Sequence, residues 1–551
     1  MQIIIPMSGF GERFRRAGYD VPKPLIEVEG KPIIGHIIDM FPGELDFIFI
    51  CNQNHLDEPN YRMAEILRNL CPTGKVVGIP AHKLGPVHAV LQIERLISDD
   101  KPTIVNYCDF TCYWDWCHFK KFVGDNQCVG AIPSYKGFHP HTLGSTNYAY
   151  MLEKDGWVLD IQEKQPYTDN RMDEFASSGT YYFSSGTVMK ESFRQQVKRG
   201  LDLNGEFYVS LAYKILLQNN DAVAVYPLQH FMQWGTPEDV AEYNYWSTAF
   251  KNILSKTEEE PKAIGSLVVP MAGLGQRFAD EGYSLTKPLI PVSAKPMFIQ
   301  AVNCLPKTVR QAFVLREDMP GFDQTKSRII QQYASAVVAS VPCVTDGQAS
   351  SALMGLDALA EDLEVEGPIT FGACDFSALY DREKLQLLIS NQEVDIIVWA
   401  IRGYPNALRT PNSYGWLDTD GLKITSVSVK KPLACPATDP IVLGTFTFKC
   451  AEDFRNSLQT LKDKNVKVNN EFFIDSCIGE AIAAGLSCWV FEVDSYLCWG
   501  TPNDYKTFQY WQSCFHKWEG HIYRLHDDPF VDKSELMELE NEYQAVLTLN
   551  G

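Results

Sequence analysis

Residues 6–14, Pro-Met-Ser-Gly-Phe-Gly-Glu-Arg-Phe, put two glycines and an arginine into one short loop. Glycines let a backbone approach a phosphate closely, and consecutive N–H groups can cradle its oxygens. No third glycine stands at the dinucleotide-fold spacing and no Gly-Lys-Ser/Thr follows, so neither a nicotinamide turn nor a Walker A loop is read here. Lys23-Pro24 lies ten residues beyond Arg13. Two cations beside such a loop, Arg13 and Lys23, point to polyphosphate binding, with Met7, Ser8, Gly9, Phe10 and Gly11 as its backbone. Asp109 ends the apolar run TIVNYCD. A carboxylate there is either a helix cap or a ligand for a hard cation such as Mg²⁺, and the phosphate loop favours the metal. Lys164, in IQEKQP, is a third cation suited to a second anionic group. Glu163 beside it can accept hydrogen bonds from hydroxyls or an amine.

The whole set occurs twice. Residues 3–32 match residues 267–296, with Gly11/Gly275, Arg13/Arg277 and Lys23/Lys287 each 264 positions apart. The second loop is Met271, Ala272, Gly273, Leu274 and Gly275. Gly85/Gly347 are 262 apart, Asp109/Asp375 266 and Lys164/Lys431 267; Glu206/Glu471 and Gly235/Gly500 are both 265 apart. So small a drift over most of the chain means one domain duplicated in tandem, since the period is far too long for a solenoid. The expected boundaries are a first domain at 1–250, a linker at 251–265, a second domain at 266–515 and an extension at 516–551. The linker is charged and contains Pro261 and Gly265, and the extension carries the helix-like KSELMELENEYQAVL.

These groups must be held by elements of alternating type. IIIPM, FIFICN, TIVNYCD and VGAIPS read as buried strands in the first half; SLVVPM, AFVLRE, PITFGACD and DIIVWAI repeat them in the second. Helix-like segments such as RMAEILRNL and SSALMGLDALAEDL fall between them. That alternation predicts an α/β fold with mixed, mainly parallel sheets and ligands at the carboxyl ends of the strands. Composition agrees: of 551 residues 45% are hydrophobic and 21% charged, and the net charge of −20 argues against a nucleic-acid partner. No apolar run is long enough for a membrane span, and fifteen cysteines, mostly single in apolar segments, read as reduced thiols of a cytoplasmic protein. Cys108, Cys112, Cys117 and His118 lie close together, but their spacing fits no usual zinc pattern and Cys112 and Cys117 do not recur. Tyr113, Trp114 and Trp116 beside them read as core rather than as an ammonium cage. Asp115 and Asp381 are either helix N-caps or outer ligands of the metal.

Taken together, GFGERF…KPLIEVEGKP and GLGQRF…KPLIPVSAKP resemble the signature of the sugar-1-phosphate nucleotidyltransferases, the NDP-sugar pyrophosphorylase-like family, over residues 1–245 and 266–510. GFHPHTLGSTNYAY, EKQPYTDNRMDEFASSGTYYF and QWGTPED are similar to members of capsule and surface-polysaccharide biosynthesis. The resemblance implies two copies of a GT-A-like, Rossmann-related domain and Mg²⁺-dependent transfer of a nucleotidyl group to a phosphorylated acceptor. It places Gly85 and Gly347 beside the base, and Lys164 and Lys431 on the acceptor phosphate. Glu163, Gly179 and Glu206, with Lys430, Gly444 and Glu471 in the second copy, would line the acceptor pocket, and Asp109 and Asp375 would bind the metal. Relatives that activate phosphocholine or aminoethylphosphonate with CTP give an alternative acceptor class.

The chain also departs from that pattern. Many members carry a second metal-binding Asp where this chain has Gln233 and Cys498. Glu163 is matched by Lys430, Pro22 by Thr286 and Gly30 by Ala294. The exchange of Glu163 for Lys430 inverts the charge offered to the acceptor and implies that the two sites do not share one acceptor equally: the second domain either takes a more anionic acceptor or is a regulatory or structural copy.

Overall fold

A computed structural model describes residues 1–145, 147–228, 230–255, 263–360 and 366–545. It divides into two compact units. The first holds Met1–Asn244 and Lys517–His521, the second Tyr245–His516 and Ile522–Asn541. Residues 256–262 of the linker read from the sequence lie outside the described residues, as do 361–363 of the helix-like SSALMGLDALAEDL.

In the first unit, strand Gln2–Met7 is buried along its whole length, as an isoleucine run covered on both faces must be. It pairs in parallel with Asp46–Asn52 on one side and Thr103–Asn106 on the other. Lys75–Ile79 extends this parallel block beyond Asp46–Asn52. Beyond Thr103–Asn106 the sheet turns largely antiparallel, through Thr180–Phe183, Gly130–Tyr135, Val223–Pro227, Trp157–Glu163 and Ala149–Lys154. Gly130–Tyr135 and Val223–Pro227 remain parallel to each other. The sheet is thus mixed, as expected, with a smaller parallel share than the sequence led us to expect. Ile4, Ile48, Val105, Ile132 and Val225 fill one core with apolar faces of the covering helices. Residues 517–521 complete this unit, with Trp518 packed on His36 and Tyr243.

The second unit repeats the order strand for strand. From one edge it runs Val337–Val341, Arg310–Arg316, Ser266–Pro270, Ile369–Phe371, Ile441–Phe448, Ile396–Ile401, Cys488–Glu492, Lys423–Val429 and Gly415–Asp420. The one change is that Phe175–Ser177 and Thr180–Phe183 of the first unit become the single strand Ile441–Phe448. No helix among the described residues is long and apolar enough to cross a membrane.

Two further features fix the loops. Asp109 does not end a strand: Thr103–Asn106 stops short, and Asp109 stands before a second strand, Phe110–Tyr113, which pairs with His230–Gln233. Phe376–Leu379 and Ser495–Cys498 do the same beside Asp375. Gly85 opens the helix Pro86–Gln92 at φ 84, and its loop is bridged to Phe207 by Phe207 N–H donating to Leu84 O and Val87 N–H donating to Phe207 O. A Cβ on Gly85 would lie 2.7 Å from Phe207 N, and one on Gly347 2.4 Å from Phe472 N. Gly85→Ala and Gly347→Ala are therefore each expected to cost about 1–3 kcal/mol in backbone strain alone and to loosen nucleotide binding in their own unit. Thermal melts with and without nucleotide check both effects.

Candidate functional site

The glycine loop leaves the carboxyl end of strand Gln2–Met7, and Gly11 enters the short helix Glu12–Arg16 from the left-handed region, φ 63. Lys23 starts a 3-10 turn fixed by Pro24. Met7, Ser8, Gly9, Phe10, Gly11, Arg13, Lys23, Gly85, Asp109 and Glu206 all line one cavity of about 630 Å³. Lys23 Nζ donates to Asp109 Oδ2 at 2.9 Å across 86 residues of chain. Burial pulls the Lys23 ammonium down, but the Asp109 carboxylate outweighs it, and the net shift is upward. The carboxylate thus holds the lysine charged inside the cleft.

A smaller cavity of about 180 Å³ adjoins it, and Arg13, Asp109 and Tyr208 line both. Glu163, Lys164 and Gly179 line the smaller one. Lys164 sits at φ 57, with its N–H donating to Tyr148 O at 2.8 Å. Its Nζ donates to Tyr208 OH at 2.7 Å, and Tyr208 OH donates to Glu206 Oε2 at 2.6 Å. Glu206 therefore acts on Lys164 through the phenol between them. Glu163 accepts from Ser210 Oγ, and burial pushes its carboxyl up to about 7 against the opposing pull of Ser210 and Lys164. Trp234 N–H donates to Asp109 O at 2.8 Å, which brings Gly235 to the metal-candidate carboxylate. A Cβ on Gly235 would stand 3.4 Å from Asp109 Oδ2, so this backbone passes within ordinary contact distance of the oxygen that Lys23 holds. Gln233 does not replace a carboxylate there; its Nε2 donates to Asp239 Oδ2.

The second unit carries the same frame. Lys287 Nζ donates to Asp375 Oδ2 at 2.6 Å and to Gly500 O at 2.9 Å. Met271, Gly273, Gly275, Arg277, Lys287, Asp375, Lys430 and Gly444 line a cavity of about 390 Å³. Of the other expected residues, Ala272 is buried under the loop and Leu274 points outward, 60% exposed. Gly347 is held against Phe472, and Glu471 is exposed and bonded through its backbone to Val468. Lys431 lies outside the cavity, which is a correction. Lys430, not Lys431, occupies the place of Lys164: it has the same φ of 57, and its N–H donates to Tyr414 O as that of Lys164 does to Tyr148 O. Glu163 is therefore matched by Val429, and each stands opposite a small residue on the neighbouring strand, Ala149 and Gly415 respectively.

Asp115 and Asp381 cap the helices Trp116–Asp125 and Arg382–Ser390, and they take no part in either cleft. Trp116 stacks on Phe119 and meets Phe41 edge-on, so Trp116 is core, whereas Tyr113, also expected in the core, is exposed. Tyr208, Ser210 and Asp475 escaped sequence reasoning, although NGEFYVS set against NNEFFID already contains them. In the unfolded chain Glu163 titrates near 4.5 and in the folded one at about 7. The stabilisation its proton brings is thus complete below the lower value and lost as pH rises through the upper. Glu163→Gln should remove that loss: relative to the wild type, the variant melts higher at about pH 8 than at about pH 5.

Residues 2–246 match the family model described as nucleotidyl transferase. Among curated relatives, bifunctional protein GlmU of Methanocaldococcus jannaschii is 24% identical over 272 residues, 49% of this chain and 60% of that protein. The catalytic subunit beta of mannose-1-phosphate guanylyltransferase from Dictyostelium discoideum is 26% identical over 193 residues, 33% of this chain and 50% of that one. The chain thus spans about 60% of the length of the first of these relatives. A solved structure, the nucleoside-diphosphate-sugar pyrophosphorylase of Vibrio cholerae RC9, aligns at 19% identity and TM-score 0.37, covering 44% of this chain and 98% of that one. Over residues 2–246 this chain is thus similar to the nucleotidyl transferases.

Proposed function

We propose that the protein transfers a nucleotidyl group from an NTP to a phosphorylated small molecule, releasing pyrophosphate, and that the first unit takes a sugar 1-phosphate. One observation carries the reading: a half-buried Lys–Asp pair joins a glycine loop to a second, adjoining cavity with its own lysine. The triphosphate would lie along Gly9–Arg13 and Lys23, and the acceptor phosphate at Lys164. Arg13, which lines both cavities, stands where the two phosphates would meet. In-line attack then needs alignment and charge neutralisation rather than a protein nucleophile. The hydroxyl-rich walls of the smaller cavity, with Asn147, Ser177, Ser178 and Glu163, suit a polyhydroxylated acceptor.

The residues fit a hard divalent cation such as Mg²⁺ in a particular way. Among the described residues no three His, Cys, Asp or Glu side chains converge on one point. Asp109 thus offers one carboxylate, whose Oδ2 is held by Lys23, and phosphate oxygens would complete the shell. Such an ion would neutralise charge on the triphosphate. The destination of the product in surface polysaccharide follows the sequence motifs, and a cytoplasmic location the fifteen cysteines, mostly single in apolar segments.

A second reading, in which the second unit binds without turnover, draws on Cys498 and Val429 in place of Gln233 and Glu163. The retained Lys287–Asp375 pair weighs against it. The test is pyrophosphate release by the full chain with Mg²⁺, each common NTP and a panel of sugar 1-phosphates. Lys23→Ala should abolish turnover of the first unit's acceptor, by roughly a hundredfold or more if charge neutralisation is the main effect. Lys287→Ala should spare it. Silence of the wild-type chain across the panel, or equal loss from both variants, overturns the reading.

A further inference from the structure

The two clefts are the same frame carrying different side chains, which makes each a control for the other. What stays constant holds a triphosphate: the glycine loop, Arg13/Arg277, Lys23/Lys287 and Asp109/Asp375. What changes lies on the acceptor side. Ser177 and Ser178 line the first acceptor cavity, and Val442 and Leu443 take their places in the second. Tyr208, whose OH joins Lys164 to Glu206, becomes Phe473. Tyr107 becomes Ala373. Each exchange removes a group able to bond a hydroxyl and leaves an apolar surface.

One charge is not lost but moved. Glu163 on its strand, bonded to Ser210 on the facing helix, becomes Val429, while Ser210 becomes Asp475. The second cleft therefore keeps a buried carboxylate beside the acceptor lysine, and this carboxylate lines the cavity from the opposite wall. The backbone makes room for it. Gly415 replaces Ala149, and a Cβ there would come within 2.2 Å of Asp475 Oδ2. A decaying copy would lose its carboxylate; here three positions changed in concert to keep one.

We infer that the second cleft is a working transfer site whose acceptor is a phosphorylated amine with a short apolar body, its ammonium group held by Asp475 and its phosphate by Lys430. This rests on the transfer chemistry proposed above. An acceptor phosphate oxygen forms a bond to the α-phosphorus of the NTP. The α–β bridging P–O bond breaks, and pyrophosphate leaves with the electron pair, Mg²⁺ being the co-reactant. Val442, Leu443 and Phe473 cover the carbon body, and the lost hydroxyl partners disfavour a sugar.

The test uses the full chain with one cleft silenced at a time. Lys23→Ala and Lys287→Ala proteins are assayed for pyrophosphate release with Mg²⁺ and each NTP against two acceptor sets. One set is phosphoethanolamine, phosphocholine and 2-aminoethylphosphonate; the other is glucose, mannose and N-acetylglucosamine 1-phosphates. The Lys23→Ala protein is expected to turn over the amines, and the Lys287→Ala protein the sugars. Adding Asp475→Asn to Lys23→Ala should raise KM for the amine roughly tenfold or more with a smaller change in kcat, and Asp475→Glu should recover part of it. Gly415→Ala, which crowds the carboxylate, should act like Asp475→Asn while the melt of the first unit stays in place. Sugars turned over by the Lys23→Ala protein as well as amines, an unchanged amine KM in Asp475→Asn, or silence from Lys23→Ala beside an active Lys287→Ala protein overturns the inference and leaves the first unit's function standing. Silence from both overturns the proposed function and the inference with it.

Discussion

Each cleft is built around one lysine–aspartate contact. Lys23 comes from the turn after the glycine loop and Asp109 from the loop that follows strand Thr103–Asn106, and the two meet at 2.9 Å. Taking a charge out of water is costly unless a partner stands close, and the carboxylate beside Lys23 offsets that cost for the ammonium. A triphosphate and its cation can take over both halves, the lysine turning to phosphate oxygens and the carboxylate to the metal. The surrounding structure serves this contact. Gly235 and Gly500 keep bulk away from the carboxylate, and the short strand pairings next to Asp109 and Asp375 fix where it stands.

The duplication explains why so much could be read in advance. The glycine loops, the paired cations and both aspartates stand at nearly constant spacing, and the buried isoleucine and valine runs announce the strands that carry them. The N-cap reading of Asp115 and Asp381, left open beside a metal role, is the one the helices show. The strand feeding Asp109 is shorter than its apolar run because Tyr107 and Cys108 belong to the turn, and hydrophobicity alone does not mark where pairing stops.

The acceptor side was less legible, for a physical reason. VSVKKP offers two adjacent lysines, and a strand shifted by one residue turns every side chain to the other face. Only the backbone separates them: Lys164 and Lys430 share a left-handed conformation and a bond to the equivalent tyrosine carbonyl, and Lys431 does not. The supposed exchange of glutamate for lysine was that slip. With the register corrected, the charge beside the acceptor lysine is conserved in sign and altered in origin. Tyr208 and Ser210 were missed because a tyrosine and a serine near a helix start look ordinary until their partners, 44 and 47 residues away, are known.

Gly415 leaves a trace of history. With alanine at that position, an aspartate at 475 would meet its Cβ at 2.2 Å. With glycine there, either a serine or an aspartate fits on the facing helix. The routes by which two once-identical copies diverged are therefore not symmetric. Glycine lets the aspartate keep the orientation it has now, whereas alanine would turn it aside. An ancestor reconstructed with alanine and aspartate together would therefore have carried the charge but aimed it elsewhere.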